Sequence, residues 1–112
     1  MFNIDLGNVV TLIVKGETQD AAGTLKPFDF KWTLERVDLD VTDAMPTGSK
    51  FVDFFIERSK IPQAKWIGLV DESEKPLQLN EETIKLVCRM HGMPFLLWQT
   101  YTSQAGVVTK NS

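Results

Sequence analysis

Cys88 and His91 stand at C-x-x-H spacing inside a stretch with helical patterning, Ile84 to His91. On a helix, residues three apart share a face, so a thiol and an imidazole could meet there. Two chemistries use such a pair. A structural zinc needs four ligands, and this chain has one cysteine and one histidine, with no second pair to complete the set. A Cys–His nucleophile needs a third group to orient the base, and a pocket. The pair therefore reads as a small buried thiol beside a helix-end imidazole.

Asp38, Asp40 and Asp43 raise a second possibility, a carboxylate site for calcium or magnesium. The first two share a strand face by their spacing. The oxygen-rich, glycine-bearing loop of a calcium site is missing, so a solvated strand face is the expectation. Asp71, Glu72 and Glu74 lie in a turn, where charge is ordinary. No glycine-rich phosphate loop, G-x-S-x-G elbow or H-E-x-x-H helix occurs. The expectation is a protein that is not an enzyme, with no cofactor and no metal.

The elements around these residues predict an α+β fold. Phe28, Phe30, Trp32 and Leu34 alternate with polar residues and define one strand face, and Val10, Leu12 and Val14 define another. Gly16 to Pro27 between them reads as a long hairpin connection. After Glu35 the apolar phase slips to Val37, Leu39 and Val41, which predicts a bulge or strand break near Arg36. The front of the chain is thus an antiparallel meander with one wet face. Pro46 and Gly48 mark the change to a helix over residues 49–60. There Phe51, Val52, Phe54, Phe55 and Ile56 lie opposite Lys50, Asp53, Glu57 and Lys60. Residues 66–79 read as a small second hairpin or an irregular loop. Asn80 caps the next helix, with Glu81 and Glu82 in its first turn and a stripe of Ile84, Val87, Cys88 and His91. Gly92 fits a helix C-terminal cap, and Pro94 fits the first turn of a last helix reaching about Gln104. Residues 1–106 form a single domain in this reading, with 107–112 a flexible tail.

With 112 residues, 43% of them hydrophobic and 24% charged, the chain can bury one core. A net charge of -3 with scattered lysines and arginines gives no basic stripe, so nucleic acid is not an expected partner. No stretch approaches a membrane span, Asp5 interrupts the N-terminal apolar run, and a single cysteine excludes an internal disulfide. The expected compartment is a cytoplasm. The last helix is apolar over most of its turn, and a two-layer protein of this size cannot easily cover all of it. Phe95, Trp98 and Tyr101, with Trp66 from the irregular segment, are the residues expected to bind a partner.

Trp66-x-Gly68-x-x-Asp71, an acidic turn, Pro76-Leu77-x-Leu79 and the cap at Asn80-Glu81-Glu82 follow one another, with Gly92 and Tyr101 further on. Behind a β-meander and a phenylalanine-rich helix, this order resembles the tail assembly chaperones of long-tailed bacteriophages. The relatives' turn carries glycine where this chain has Glu74, which argues against a tight type I′ turn. The resemblance implies a non-catalytic protein of the bacterial host's cytoplasm, in the short, non-frameshifted form. It would bind the tape-measure protein, recruit the tail-tube protein and form homo-oligomers. The rival readings are a structural virion component, such as a tail-tube or head-tail connector subunit, and a small peptide-binding regulatory module.

Overall fold

A computed structural model describes residues 7–37 and 44–106. The fold is α+β, as the patterning predicts. A three-stranded antiparallel sheet of order β1-β2-β3 is built from β1 (Val9–Gln19), β2 (Leu25–Glu35) and β3 (Lys65–Ile67). The helices are α1 (Ser49–Arg58), α2 (Glu81–Cys88) and α3 (Met93–Gln104). β2 ends at Glu35, where the phase slip predicts a break. The expected strand face of Asp38, Asp40 and Asp43, the run through Leu39 and Val41, and the tail at 107–112 lie outside the described residues. The third strand comes instead from Lys65–Ile67, in the segment the alternation left open between hairpin and loop.

The strand alternation sets the core directly. Leu12 pairs with Trp32 and Val14 with Phe30, and these four and Leu34 are buried on the face that meets the helices. Gly16 pairs with Phe28, whose ring lies over it: a Cβ on residue 16 would come 2.6 Å from Phe28 Cζ. The glycine is there because the ring needs that space. Ile13, Lys31 and Ile67 form an exposed row across the opposite face, and the Thr11 and Thr33 hydroxyls meet beside it at 2.8 Å.

Gly16 to Pro27 is not a long connection. The strands run on to Gln19 and resume at Leu25, and only Asp20 to Thr24 turns. Asp20 explains the economy: its Oδ1 accepts from the N–H of Ala22 and of Thr24, both at 2.9 Å, and Gly23 takes φ 84°. An aspartate that binds backbone two and four residues on closes a turn that composition alone leaves open. The same device recurs in the acidic loop. Asp71 Oδ1 accepts from Ser73 N–H at 2.8 Å and Lys75 N–H at 3.0 Å, Glu74 sits at φ 62°, and Val70 bridges Pro76.

α1 starts behind Gly48 at φ 61° and buries Phe51, Phe55 and Ile56 against the sheet. Phe55 is the hub, with ring centroids of Phe51, Trp32 and Phe54 at 5.1, 5.2 and 5.3 Å and Tyr101 at 6.0 Å. A fully buried ring of this kind contributes about 2–3 kcal/mol. Trp32 is wholly buried, and its indole N–H donates to Ser59 Oγ at 3.0 Å just past the end of α1. Arg58, in the last turn of α1, spans Glu35 (Nε to Oε1, 3.0 Å) and the Phe54 ring (5.2 Å). The Glu35 contact is a charge contact, not an aligned hydrogen bond.

α2 begins at a reciprocal cap: Asn80 Oδ1 accepts from Thr83 N–H and Thr83 Oγ1 accepts from Asn80 N–H, both at 3.0 Å. It buries Ile84, Val87 and Cys88 and stops there, with Arg89 as its C-cap. Gly92, left-handed at φ 83°, turns the chain directly into α3, which has proline in its first turn. Among the described residues no helix is long and apolar enough to cross a membrane.

Candidate functional site

The four aromatic residues expected at a partner surface have four different fates. Phe95 is 66% exposed, the most open large apolar side chain among the described residues. Trp98, one turn on, is half-buried, its ring edge-on to Phe54 at 5.5 Å. Trp66 is half-buried on the far side of the sheet hairpin, against its cross-strand partner Trp32 at 5.3 Å. Its indole N–H is covered and has no hydrogen-bond partner among the described residues. Trp66 is thus linked to Tyr101 and Trp98 only through the core rings of Trp32, Phe55 and Phe54, with no direct ring contact between them.

Tyr101 is 1% exposed and belongs to the core. Its hydroxyl donates to the Glu35 carbonyl at 2.8 Å and accepts from the Val37 N–H at 3.1 Å. A ring covered on both faces has nothing to offer a partner, so its role is to tie α3 to the end of β2. Burial raises its pKa above the ordinary tyrosine value, while the Val37 N–H works in the other direction.

Cys88 and His91 do not share a face. The helix ends at Cys88, the thiol is buried, and His91 is exposed in the turn toward Gly92. The stripe stops because periodicity carries no signal for where a helix unwinds. Burial pushes the Cys88 thiol up to about 12, far from a reactive thiolate. Among the described residues no three of His, Cys, Asp and Glu converge as a metal site. Asp71, Glu72 and Glu74 are all exposed, and one oxygen of the Asp71 carboxylate is spent on its own loop.

Two open apolar grooves adjoin these residues. The larger, about 470 Å³, lies where the start of α1 meets the end of α2, between Met45, Phe51, Val52, Cys88 and Pro94. Pro94 lines this groove, whereas Phe95, the next residue of α3, does not. The smaller, about 220 Å³, lies between the turn-proximal half of the β1–β2 hairpin and the α2–α3 turn, walled by Phe28, Leu69, Met90 and Met93. Gly68, at φ 95°, brings backbone close to this wall, where a Cβ would lie 3.4 Å from the Asp29 carbonyl oxygen and Phe30 Cα. Phe54, Met45 and Met90 were not legible as site residues, because each is set beside its neighbours only by helix packing.

The fold and this surface define an α+β domain that presents aromatic and methionine side chains around open apolar grooves. The chain matches no protein-family model, no curated protein and no solved structure.

Proposed function

We propose that this protein is a tail assembly chaperone of a long-tailed bacteriophage, a non-catalytic binder of the tape-measure protein that promotes assembly of the tail tube around it. The observation that carries the reading is Phe95, a two-thirds exposed ring on α3, the helix whose Pro94 lines an open apolar groove, with Trp98 one turn further along. A chaperone for a long helical partner needs open apolar surface that engages repeated segments weakly and many times. The motif order from Trp66 to Asn80 supports the same reading by resemblance, and in this chain Gly68 and Asp71 shape the backbone of that segment.

The test is co-expression with the tape-measure protein of the same phage. The expected result is a soluble complex that Phe95→Ala weakens severalfold without lowering the melting temperature. An insoluble tape-measure protein despite co-expression overturns the reading. Retention of this chain in mature particles, seen by mass spectrometry, points instead to a structural virion component.

A further inference from the structure

We propose that the Gln104 side chain is a latch on the outer edge of β1, and that it keeps residues 9–14 from pairing with a strand of another molecule. The latch acts on the sheet edge whatever partner the chain binds, and so does not rest on the chaperone reading.

Val9, Val10, Thr11, Leu12, Ile13 and Val14 follow one another with no charge, proline or glycine among them. Segments of this composition add to one another strand by strand when an edge is left bare. β1 is the outer strand of the sheet, next to β2 alone. Asp20 N–H donates to the Thr24 carbonyl and Arg36 N–H to the Asn8 carbonyl, which sets the even-numbered residues of β1 against β2. The backbone groups of Val9, Thr11, Ile13, Lys15 and Glu17 therefore point away from the sheet.

Ile13 is where that outward row is interrupted. Its N–H donates to Gln104 Oε1 at 2.8 Å, and its carbonyl accepts from Gln104 Nε2 at 3.0 Å. One side-chain amide thus makes both bonds that the paired residue of a further strand would make. The helix brings it there. Tyr101 and Leu97, one and two turns earlier on the same face of α3, are buried, and that stripe ends on the glutamine where α3 reaches the strand edge.

Other parts of the sheet's edge are guarded by different means. Beyond Ile13 the outward residues of β1 include Lys15 and Glu17, both exposed, and charge on an edge strand opposes addition. The half of β2 that β3 does not reach has Pro27 among its outward-pointing residues, which has no N–H to give. β3 is three residues long, too short to template a strand. Residues 9–14 have none of these protections, and that is the stretch on which Gln104 is clamped.

Hydrogen exchange and thioflavin T fluorescence of the whole chain, with and without Gln104→Ala, test the latch. The Ile13 amide should exchange severalfold faster in the variant, while the Leu12 and Val14 amides, bonded to β2, keep their protection. The variant should also form thioflavin-positive aggregates at concentrations where the parent stays dispersed. Gln104→Asn, whose amide falls one methylene short of the edge, should act in the same direction. Adding Lys15→Pro to Gln104→Ala removes the next outward N–H without touching the β1–β2 ladder, and should return the variant to solution. Tyr101→Phe, which loosens α3 and leaves Gln104 in place, is the control and should stay dispersed. Aggregation of Tyr101→Phe as fast as Gln104→Ala, or aggregation that Lys15→Pro does not suppress, would come from unfolded chain and overturns the proposal. So does an Ile13 amide that the substitution leaves unchanged, or one that opens in a variant that never aggregates.

Discussion

Glu74 holds, at φ 62°, the position in its loop that Gly23 holds at φ 84° in the first hairpin. The two loops share every backbone contact. Asp20 and Asp71 each donate their N–H to the carbonyl four residues on, and each accepts at its own carbonyl from the N–H three residues on. One loop has the residue the geometry favours, and the other has a glutamate in the left-handed region.

Because a left-handed L-residue costs roughly 1–2 kcal/mol, and glycine gives back about 0.5–1 through the unfolded chain, Glu74→Gly should leave stability unchanged or raise it by up to about 1 kcal/mol. Gly23→Ala should lower it by about 1 kcal/mol, from backbone strain alone, since a Cβ there meets only Gln19 Nε2 at 3.7 Å. Urea midpoints of the two variants check both signs.

Tyr101→Phe leaves the Glu35 carbonyl and Val37 N–H without their partner, at a cost of about 1–3 kcal/mol, readable as a fall in Tm. The pH dependence follows from the raised pKa. Below the ordinary tyrosine value of about 10, the hydroxyl is neutral in both states and its full contribution is present. Above it the unfolded chain ionises first, binds fewer protons than the folded one, and stability falls as pH rises through the folded value. Tyr101→Phe should flatten that alkaline fall when its denaturation is compared with the parent's across the same pH range.

The Cys88 thiol, held up to about 12 by burial, should react with a maleimide at neutral pH at least about a hundredfold more slowly in the folded chain than in urea. Mass spectrometry of timed labelling reads the ratio. Rapid native labelling would mean that the end of α2 opens readily.

Trp98→Ala removes a half-buried ring and its edge-on contact with Phe54, so it should cost about 1–3 kcal/mol. Phe95→Ala, on a ring that is two-thirds exposed, should stay within about 0.5 kcal/mol. Thermal melts of the pair separate the side chain that supports the fold from the one that faces outward.

Much of the candidate surface could not be read in advance. Phe95, Trp98 and Tyr101 are alike to a pattern argument: all three are aromatic and lie within seven residues on one helix. The structure separates them because α1 and the end of β2 reach only two of them. Phe54 contacts Trp98, Phe54 and Phe55 contact Tyr101, and the backbone of Glu35 and Val37 closes over the Tyr101 hydroxyl. Gln104 reads as an ordinary polar residue near a helix end until it is found binding both backbone groups of Ile13.

The amino-acid order alone settled what depends on near neighbours. The alternation from Phe28 to Leu34 puts Phe30, Trp32 and Leu34 inside, Asn80 starts a helix, and Pro94 opens the last one. These are local effects, set by side-chain period and by hydrogen bonds within one turn. Pairing Lys65–Ile67 with β2, covering Tyr101, and closing the β1 edge at Ile13 were decided by contacts between segments about thirty to ninety residues apart. Which groups meet at that separation depends on how the layers stack, and no short-range pattern carries that information.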